Sequence, residues 1–301
     1  MVEEDKRKRE LVANIMRIAI TGANGQVGTN LTETLSNEHE IIPLTHKDLD
    51  ITDLNKTKTT LNKIRPELVI NTAAYHKTDE CEENPEKSFL VNSIAVRNLA
   101  LICKEIGASL IHFSTDYVFD GKKKEPYTED DIPNPINVYG VSKLAGEIFI
   151  RNTLKEHYII RPSGIFGKAK KVGKKNFITR MLELAREKGK LKIVDDQIFS
   201  PTYAKDLAKK VAELIKTNKY GTYHITNSGY CSWYELAKTA FELVGINVEL
   251  KPVKSHEFPM KARRPHFSVL ENRNLKRIGL SPLRHWKEAL KEYLKEIGEL
   301  K

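Results

Sequence analysis

The residue pair best suited to chemistry in this 301-residue chain is Tyr139 and Lys143. On a helix, residues four positions apart lie on one face, about one turn from each other. A phenol has a pKa of about 10 and is a poor proton donor at neutral pH, but a nearby ammonium stabilises the phenolate and lowers that pKa. The pair could therefore act as a tuned general acid. A half-buried tyrosine and a solvated lysine would have the same spacing, so the pair alone does not identify a site.

A second pattern lies near the other end of the chain. The apolar run from Arg17 to Thr21 leads directly into Gly22, and Gly25 and Gly28 follow at intervals of three. A short strand, a glycine turn and a helix form the dinucleotide-binding arrangement, because small residues let the backbone approach a pyrophosphate at a helix N-terminus. This order of elements predicts a dinucleotide site at the turn.

The elements that must position these residues alternate along the chain. Short apolar runs predict strands that end at Leu44, Ile70, Phe113 and Arg161, with helical segments between them. The alternation predicts an α/β fold, a Rossmann-like doubly wound parallel sheet. Ligands bind such sheets beyond the carboxyl ends of the strands, where the glycine turn, Ala73, Ala74 and Thr115 all fall.

Helix signals and charge suggest how the chain is divided. Asn84 and Pro85 predict the cap and first residue of a long helix, and the capping box from Ser232 to Glu235 predicts a helix that reaches Val244. A last helix is expected from about Leu283. Residues 1–15 are predicted to be a flexible extension, because they are mostly charged. Residues 16–165 should form mainly the dinucleotide-binding domain, and 166–301 mainly a smaller substrate-binding lobe with segments that return to the sheet.

Composition narrows the classes of partner. The net charge is +10, and residues 251–301 hold 13 Lys and Arg against 6 Asp and Glu. A basic lobe suits an anionic ligand such as a nucleoside diphosphate, and because no nucleic-acid-binding motif accompanies the charge, we expect no nucleic acid partner. No apolar run is long enough for a membrane span, and no signal peptide is visible, so a cytoplasmic protein is expected. Cys81, Cys103 and Cys231 are far apart, which argues against a disulfide framework or structural zinc.

With these motifs in order, the chain resembles the extended short-chain dehydrogenase/reductase family. Within that family, the run from Ser114 to Gly121, the approach Asn137 to Gly140 and the segment from Ser200 to Leu207 are similar to those of dTDP-4-dehydrorhamnose reductases. The resemblance implies NADPH- or NADH-dependent reduction of the C4 ketone of dTDP-4-dehydro-L-rhamnose to dTDP-L-rhamnose. It also implies a homodimer, which some members bridge with Mg²⁺. The sequence contains no ligand cluster that requires a metal.

The resemblance also implies residue roles. Tyr139 would donate the proton, Lys143 would hold the cofactor ribose and lower the tyrosine pKa, and Thr115 would hydrogen-bond the same carbonyl oxygen. Two donors aimed at one point suit a developing alkoxide. The expected cofactor contacts are Gly22, Gly25, Gln26, Val27 and Gly28 at the pyrophosphate, Asp50 and Ile51 at the adenine, and Ala73, Ala74 and Tyr75 at the inner ribose and nicotinamide, with Tyr139 and Lys143. The expected substrate contacts are Thr115, Asp116 and Gly164.

Two departures concern specificity. The acidic residue expected to grip a ribose 2′-hydroxyl is not at Thr45 or His46, and Asp48 falls past the predicted strand, so both cofactors should work, with NADPH favoured. Gly164 stands where many of these reductases carry a tryptophan that faces the substrate. The sequence therefore predicts the reaction more closely than it predicts the identity of the sugar.

Three other activities compete with this interpretation. Related dehydratases place Asp-Glu after the active-site threonine, but Thr115 is followed by Asp116 and Tyr117, so that glutamate is missing. Epimerases and other nucleotide-sugar reductases need the same threonine, tyrosine and lysine, and a tightly kept NAD would distinguish an epimerase. A non-catalytic subunit, like the regulatory subunit of methionine adenosyltransferase, could keep the fold without turnover.

Overall fold

The computed structural model describes residues 15–170, 173, 175–258 and 260–300. The strands are Arg17–Thr21 (β1), Glu40–Leu44 (β2), Leu68–Asn71 (β3), Ser109–Phe113 (β4), His157–Arg161 (β5), Ile165–Phe166 (β6), Lys190–Val194 (β7), Ile198–Phe199 (β8), Thr202–Tyr203 (β9), Gly221–His224 (β10), Cys231–Ser232 (β11) and Glu249–Val253 (β12). The helices are Gln26–Leu35 (α1), Leu54–Ile64 (α2), Thr78–Glu83 (α3), Pro85–Phe89 (α4), Ala95–Ile106 (α5), Val138–Thr153 (α6), Phe177–Lys188 (α7), Ala204–Ile215 (α8), Trp233–Val244 (α9), Arg273–Arg277 (α10) and Trp286–Glu296 (α11).

Six parallel strands form the central sheet in the order β2-β1-β3-β4-β5-β10. The predicted α/β fold with a doubly wound parallel sheet is confirmed. The chain runs from β1 to β2 on one side and then crosses back to β3 on the other side of β1. The crevice where such sheets bind ligands therefore lies between β1 and β3. Three shorter pairings, β6 with β9, β7 with β12 and β8 with β11, lie in the second half of the chain.

Both faces of the sheet are buried. Ile18 and Ile20 of β1 face one apolar cluster with Leu31 of α1, whereas Ala19 between them faces another cluster with Leu99 of α5. Side chains that alternate along a strand can reach both clusters only when helices cover both faces. A third cluster, which includes Leu182 of α7, is built from residues 166–300.

The predicted helix boundaries are mostly confirmed, with three differences. Asn84 and Pro85 occupy the N-cap position and first turn of α4, but the Asn84 side chain makes no capping hydrogen bond; its amide donates to the Glu80 carbonyl at 3.0 Å. α4 also continues through a π-helical turn, Leu90–Ile94, into α5. The last helix begins at Trp286, three residues after the expected Leu283. Residues 1–14 of the predicted extension lie outside the described residues. No helix among the described residues is long and apolar enough to cross a membrane.

Candidate active site

One cleft of about 790 Å³ opens at the carboxyl ends of the central strands. A cleft of this size can enclose a cofactor and part of a second ligand. Each residue that the sequence predicted for catalysis or binding lines it, namely Gly22, Gly25, Gln26, Val27, Gly28, Asp50, Ile51, Ala73, Ala74, Tyr75, Thr115, Asp116, Tyr139, Lys143 and Gly164. The structure therefore brings together segments that are up to 142 positions apart in the sequence.

The turn between β1 and α1 is packed so closely that only glycine fits at two positions. A Cβ on Gly28 would lie 2.5 Å from the Gly22 carbonyl oxygen, and a Cβ on Gly22 would lie 2.8 Å from the Thr72 hydroxyl. Gly25 caps α1 without any side-chain hydrogen bond, so no side chain at the cap satisfies the N–H groups of the first turn. The buried Gln26 Oε1 has no hydrogen-bond partner among the described residues. These features fit a bound dinucleotide pyrophosphate.

Replacing Gly22 with alanine should therefore damage both the fold and the cofactor site. The residue has φ +68°, and the added Cβ would also approach the Ala73 backbone nitrogen to 2.9 Å. We expect a loss of about 1–3 kcal/mol in the free energy of unfolding, with NADPH affinity lowered by about tenfold or more. Gly107 is a matched control, because it has φ +74° but open space at its Cβ position. Gly107→Ala should lose about 1 kcal/mol and keep NADPH affinity, as chemical denaturation and calorimetric titration would measure. Equal NADPH affinity in both variants would contradict this account of the turn.

Helix α6 begins where it does because of its cap. The Asn137 side-chain oxygen accepts from the Gly140 N–H at 2.7 Å, and its amide donates to the Arg263 carbonyl at 2.8 Å. The Gly140 Cα packs on the Tyr117 carbonyl, where a Cβ would lie only 2.1 Å away. The first turn of α6 is thus pressed against the segment after β4, and the Tyr139 and Tyr117 rings meet edge to face at 6.1 Å.

Thr115 and Asp116 complete a cluster of hydroxyl groups beside Tyr139. The Thr115 hydroxyl donates to Asp116 Oδ1 at 3.0 Å, and it lies close enough to the Tyr139 hydroxyl to lower the pKa of that group. Asp116 Oδ2 accepts from the Ser163 and Ser268 hydroxyls at 2.7 and 2.6 Å. Burial raises the pKa of Asp116, and the three hydroxyl donors oppose that shift. Because all three hydroxyls point at one carboxylate, Asp116 fixes the orientation of Thr115.

Lys143 ends a chain of buried hydrogen bonds that crosses the sheet. Asn71 Oδ1 accepts from the Thr21 hydroxyl at 2.7 Å and from the Ala73 N–H at 3.2 Å. The Asn71 amide nitrogen therefore faces His112 Nδ1, at 3.1 Å. An amide nitrogen only donates, so Nδ1 accepts and the neutral ring carries its proton on Nε2. That Nε2 lies 3.1 Å from Lys143 Nζ.

The hydrogen-bond pattern around Lys143 fits a neutral amine. An ammonium has no lone pair to accept the His112 Nε2–H, whereas an amine can accept it and donate to the Phe113 carbonyl, 2.5 Å away. The side chain is only 1 % exposed. Burial lowers the pKa of Lys143 to about 7, against the opposing effect of the Glu147 carboxylate, and burial also lowers the pKa of His112 well below its usual value.

That Lys143 lowers the Tyr139 pKa when the cofactor is bound stays a prediction. In the protein alone, burial raises the pKa of Tyr139, and the Thr115 hydroxyl opposes that shift. The Lys143 side chain is bonded to His112 and to the Phe113 carbonyl, and burial disfavours its charge.

Several positioning residues carry no motif in the sequence. Asn92 lies in the π-helical turn, where its side chain accepts from the Tyr75 N–H at 3.0 Å and donates to the Tyr75 carbonyl at 2.9 Å. It thereby holds the loop that lines the cleft after β3. Gly146 of α6 allows the close packing, since a Cβ there would lie 2.4 Å from the Asn92 carbonyl. Asn71, His112, Ser163 and Ser268 were also missed, because each acts through partners far away in the sequence.

The described side chains at the end of the cleft near β2 do not form a group that could bind a metal ion. Asp48 accepts from the Thr45 N–H and hydroxyl at 2.8 and 2.6 Å, so its carboxylate closes its own turn. His46 and Asp50 line the cleft, with 3.9 Å between His46 Nε2 and an Asp50 oxygen. Across the part of the chain that the structure describes, no group of three or more His, Cys, Asp or Glu residues could hold a metal ion.

The model of the RmlD substrate binding domain family matches residues 16–299. The chain belongs to this family. Among its relatives is the spore coat polysaccharide biosynthesis protein SpsK of Bacillus subtilis, 43 % identical over 93 % of this chain and 97 % of SpsK. The dTDP-4-dehydrorhamnose reductase of Mycolicibacterium smegmatis is 35 % identical over 96 % of this chain and 88 % of its own. A crystal structure of dTDP-4-dehydrorhamnose reductase from Bacillus anthracis in complex with NADP has a TM-score of 0.90 and 40 % identity, and the alignment covers 94 % of this chain and 99 % of that one.

Membership of the RmlD substrate binding domain family agrees with the resemblance that the motifs carry. The B. anthracis structure contains NADP, and the cleft of the present chain has the glycine turn and uncapped helix that such a cofactor requires. The alignments with SpsK and with the B. anthracis reductase cover 93 % and 94 % of this chain. These proteins therefore share both the central sheet and the second half of the chain.

Proposed function

We propose that this protein reduces the C4 ketone of dTDP-4-dehydro-L-rhamnose to dTDP-L-rhamnose with NADPH or NADH. The observation that carries the proposal is the placement of the Thr115 and Tyr139 hydroxyls beside each other in the same cleft as the glycine turn. The names of the relatives and the NADP complex of one of them support the same activity.

The residues that would hold the cofactor follow from the shape of the cleft. The backbone of Gln26, Val27 and Gly28 would bind the pyrophosphate, Asp50 and Ile51 would meet the adenine, and the loop from Ala73 to Tyr75 would line the inner ribose. Lys143 lies beside this path and would bind ribose hydroxyls. When bound, NAD(P)H supplies the hydride that the carbonyl carbon accepts.

The chain's own residues would handle the proton. As negative charge develops on the carbonyl oxygen, the Tyr139 hydroxyl transfers its proton there, so that the ketone becomes an alcohol and the tyrosine a phenolate. The Thr115 hydroxyl, which donates to Asp116 Oδ1 in this structure, would turn its proton to the same oxygen and stabilise the developing alkoxide. Asp116 is thus better suited to positioning than to direct substrate binding, because Thr115, Ser163 and Ser268 already occupy its carboxylate.

The experiment that tests the function is NADPH oxidation with dTDP-4-dehydro-L-rhamnose, followed by the loss of nicotinamide absorbance and by chromatography of the sugar nucleotide. Formation of dTDP-L-rhamnose in step with NADPH loss supports the proposal. Purified protein that carries bound NAD, with no turnover of added NADPH, would favour an epimerase. No oxidation with any nucleotide-sugar ketone would favour a non-catalytic subunit.

His46 should bias the cofactor choice towards NADPH. It stands after β2 with its side chain 82 % exposed, and it lines the cleft where a 2′-phosphate would approach, whereas the Asp48 carboxylate is engaged with Thr45. We expect kcat/KM to favour NADPH, and His46→Ala to reduce that preference by roughly fivefold or less, as for an exposed ionic contact. A wild-type preference for NADH above about a hundredfold, close to 3 kcal/mol, would contradict the assignment.

We further infer the organisation of the chain. Residues 16–165 would mainly bind NAD(P), and residues 166–301 would mainly form the substrate lobe, from which β10 and α8 return to the sheet. The free thiols of the three cysteines, all buried, are compatible with the proposed cytoplasmic location.

A homodimer is the assembly that the surface supports. Helices α5 and α6 contact each other, and together with the π-helical turn they leave an apolar face exposed. Its side chains are Leu90, Ile94, Leu101, Val141 and Ile148. Exposed apolar faces of this kind mark protein–protein contacts. Sedimentation equilibrium should give a dimer, and Ile148→Glu should shift it towards monomer; a monomeric wild type would contradict the inference.

A further inference from the structure

Gly164 faces an aromatic ring. Its φ is +47°, and a Cβ built on it would lie 2.1 Å from Cε2 and 2.4 Å from Cδ2 of Phe199. A larger side chain at position 164 could enter only by displacing that ring. At this point of the cleft, the apolar surface therefore comes from a residue 35 positions further along the chain.

Two short elements hold Phe199 next to a second ring. Phe199 pairs with Cys231 in the antiparallel contact of β8 with β11. The residue after β11 is Trp233, at the start of α9, where Ser232 and Glu235 form a reciprocal capping box. The Phe199 and Trp233 ring centroids lie 4.0 Å apart, with an interplanar angle of 31°. Strand pairing and helix capping thus fix the two rings as one surface, which we call the aromatic wall.

The aromatic wall lies beside the reacting hydroxyls. Both of its rings line the cleft. Ser163, the residue before Gly164, donates to Asp116, which in turn orients Thr115. The wall is therefore close to the groups that would receive the ketone oxygen, and it should contact the reacting sugar rather than the distant nucleoside.

We propose that Phe199 and Trp233 select the substrate by binding the apolar side of a 6-deoxysugar, with its C5 methyl group and ring C–H groups against the two rings. This inference rests on the proposed function, because it assigns the sugar-binding part of the same cleft. An apolar pocket discriminates a single methyl or methylene group by about 10- to 200-fold. The aromatic wall thus gives the cleft the aromatic surface that a glycine at position 164 lacks, and it does so from Phe199 and Trp233.

Tryptophan fluorescence tests contact without turnover, because Trp233 and Trp286 are the only two tryptophans. Trp286 is 2 % exposed and packs in the core of the second half, so Trp286→Phe leaves Trp233 as the sole emitter. In that variant, dTDP-L-rhamnose should change the emission strongly and dTDP only weakly, whereas Trp233→Phe should abolish the response. An equal response to dTDP and dTDP-L-rhamnose would place the nucleoside on Trp233, and no response would remove the contact; either result overturns the proposal.

Kinetics provide the second test. Trp233→Leu and Phe199→Leu should each raise the KM for the sugar nucleotide by about tenfold or more, with the NADPH Kd unchanged. Phe177→Leu is the matched control: the Phe177 ring packs on Trp233 at 4.6 Å but lies outside the lining of the cleft, so its KM should stay near wild type. Wild-type KM values in both wall variants would overturn the proposal. An inactive wild type would instead refute the proposed function, and the fluorescence result would still decide whether the wall binds the sugar.

Discussion

Replacing Tyr139 with phenylalanine should lower kcat by about a hundredfold or more while the NADPH Kd stays near wild type. Phenylalanine keeps the ring that packs edge to face on Tyr117 and removes only the hydroxyl, which lies beside Thr115. A packing role for Tyr139 predicts little loss, so the size of the change separates the two roles. Single-turnover rates with saturating NADPH and sugar ketone would measure the chemical step directly.

Tyr117→Phe is the control for this experiment. Tyr117 also lines the cleft, but its hydroxyl lies beside the Arg264 guanidinium, and burial raises its pKa. Its loss of rate should be far smaller than that of Tyr139→Phe. If Tyr139→Phe kept more than about a tenth of the wild-type kcat, a change below 1.4 kcal/mol, the proton would have to come from another group.

The sequence predicted those parts of the site that depend on local signals. Gly28 is constrained by Gly22 and Ala23 of its own turn, and the Ser232 to Glu235 capping box forms as its spacing indicates. Strands β1 to β5 were found because apolar runs buried on both faces leave little ambiguity. In these cases, the cause of the structure lies within about ten residues of chain.

What the sequence did not predict depends on contacts between distant segments. His112 is a strand residue until β3 and β4 pair and place it between Asn71 and Lys143. Its neighbour Lys143 is buried as well, and burial lowers the pKa of this lysine to about 7, so that only part of its expected charge remains at neutral pH. Similarly, Gly164 looked like the loss of an aromatic contact until the fold placed Phe199 against it.

Lys143→Met should change both catalysis and the free energy of unfolding, because this side chain is buried in the site. Kinetically, we expect kcat/KM to fall by about a hundredfold or more, since the variant loses the amine that would bind the ribose. Structurally, methionine fills a similar volume but leaves the Phe113 carbonyl, and above pH 7 also the His112 Nε2–H, without a partner, which costs about 1–3 kcal/mol. Lys143→Met and the wild type should therefore differ in the free energy of unfolding by an amount that depends on pH.

The sign follows from the lysine pKa, about 7 in the folded protein and about 10.4 when unfolded. Below pH 7 both states are protonated, and the folded wild type carries the full cost of the buried charge. From pH 7 to 10 the unfolded state binds more protons, so the wild type gains stability with rising pH, by roughly 2 kcal/mol between pH 7 and 9. Lys143→Met lacks this gain, so its stability relative to wild type should be best near pH 6 and fall as pH rises.

Urea unfolding of both proteins at pH 6, 7.5 and 9 would measure this difference. The exposed Lys209 of α8 provides the control, because a solvated ammonium is hydrated in both states and Lys209→Met should leave the pH slope unchanged. If Lys143→Met and wild type instead showed parallel pH profiles, Lys143 would be an ordinary ammonium. His112 would then have to present a lone pair at Nε2, and the chain of donors from Thr21 through Asn71 would run in the opposite direction.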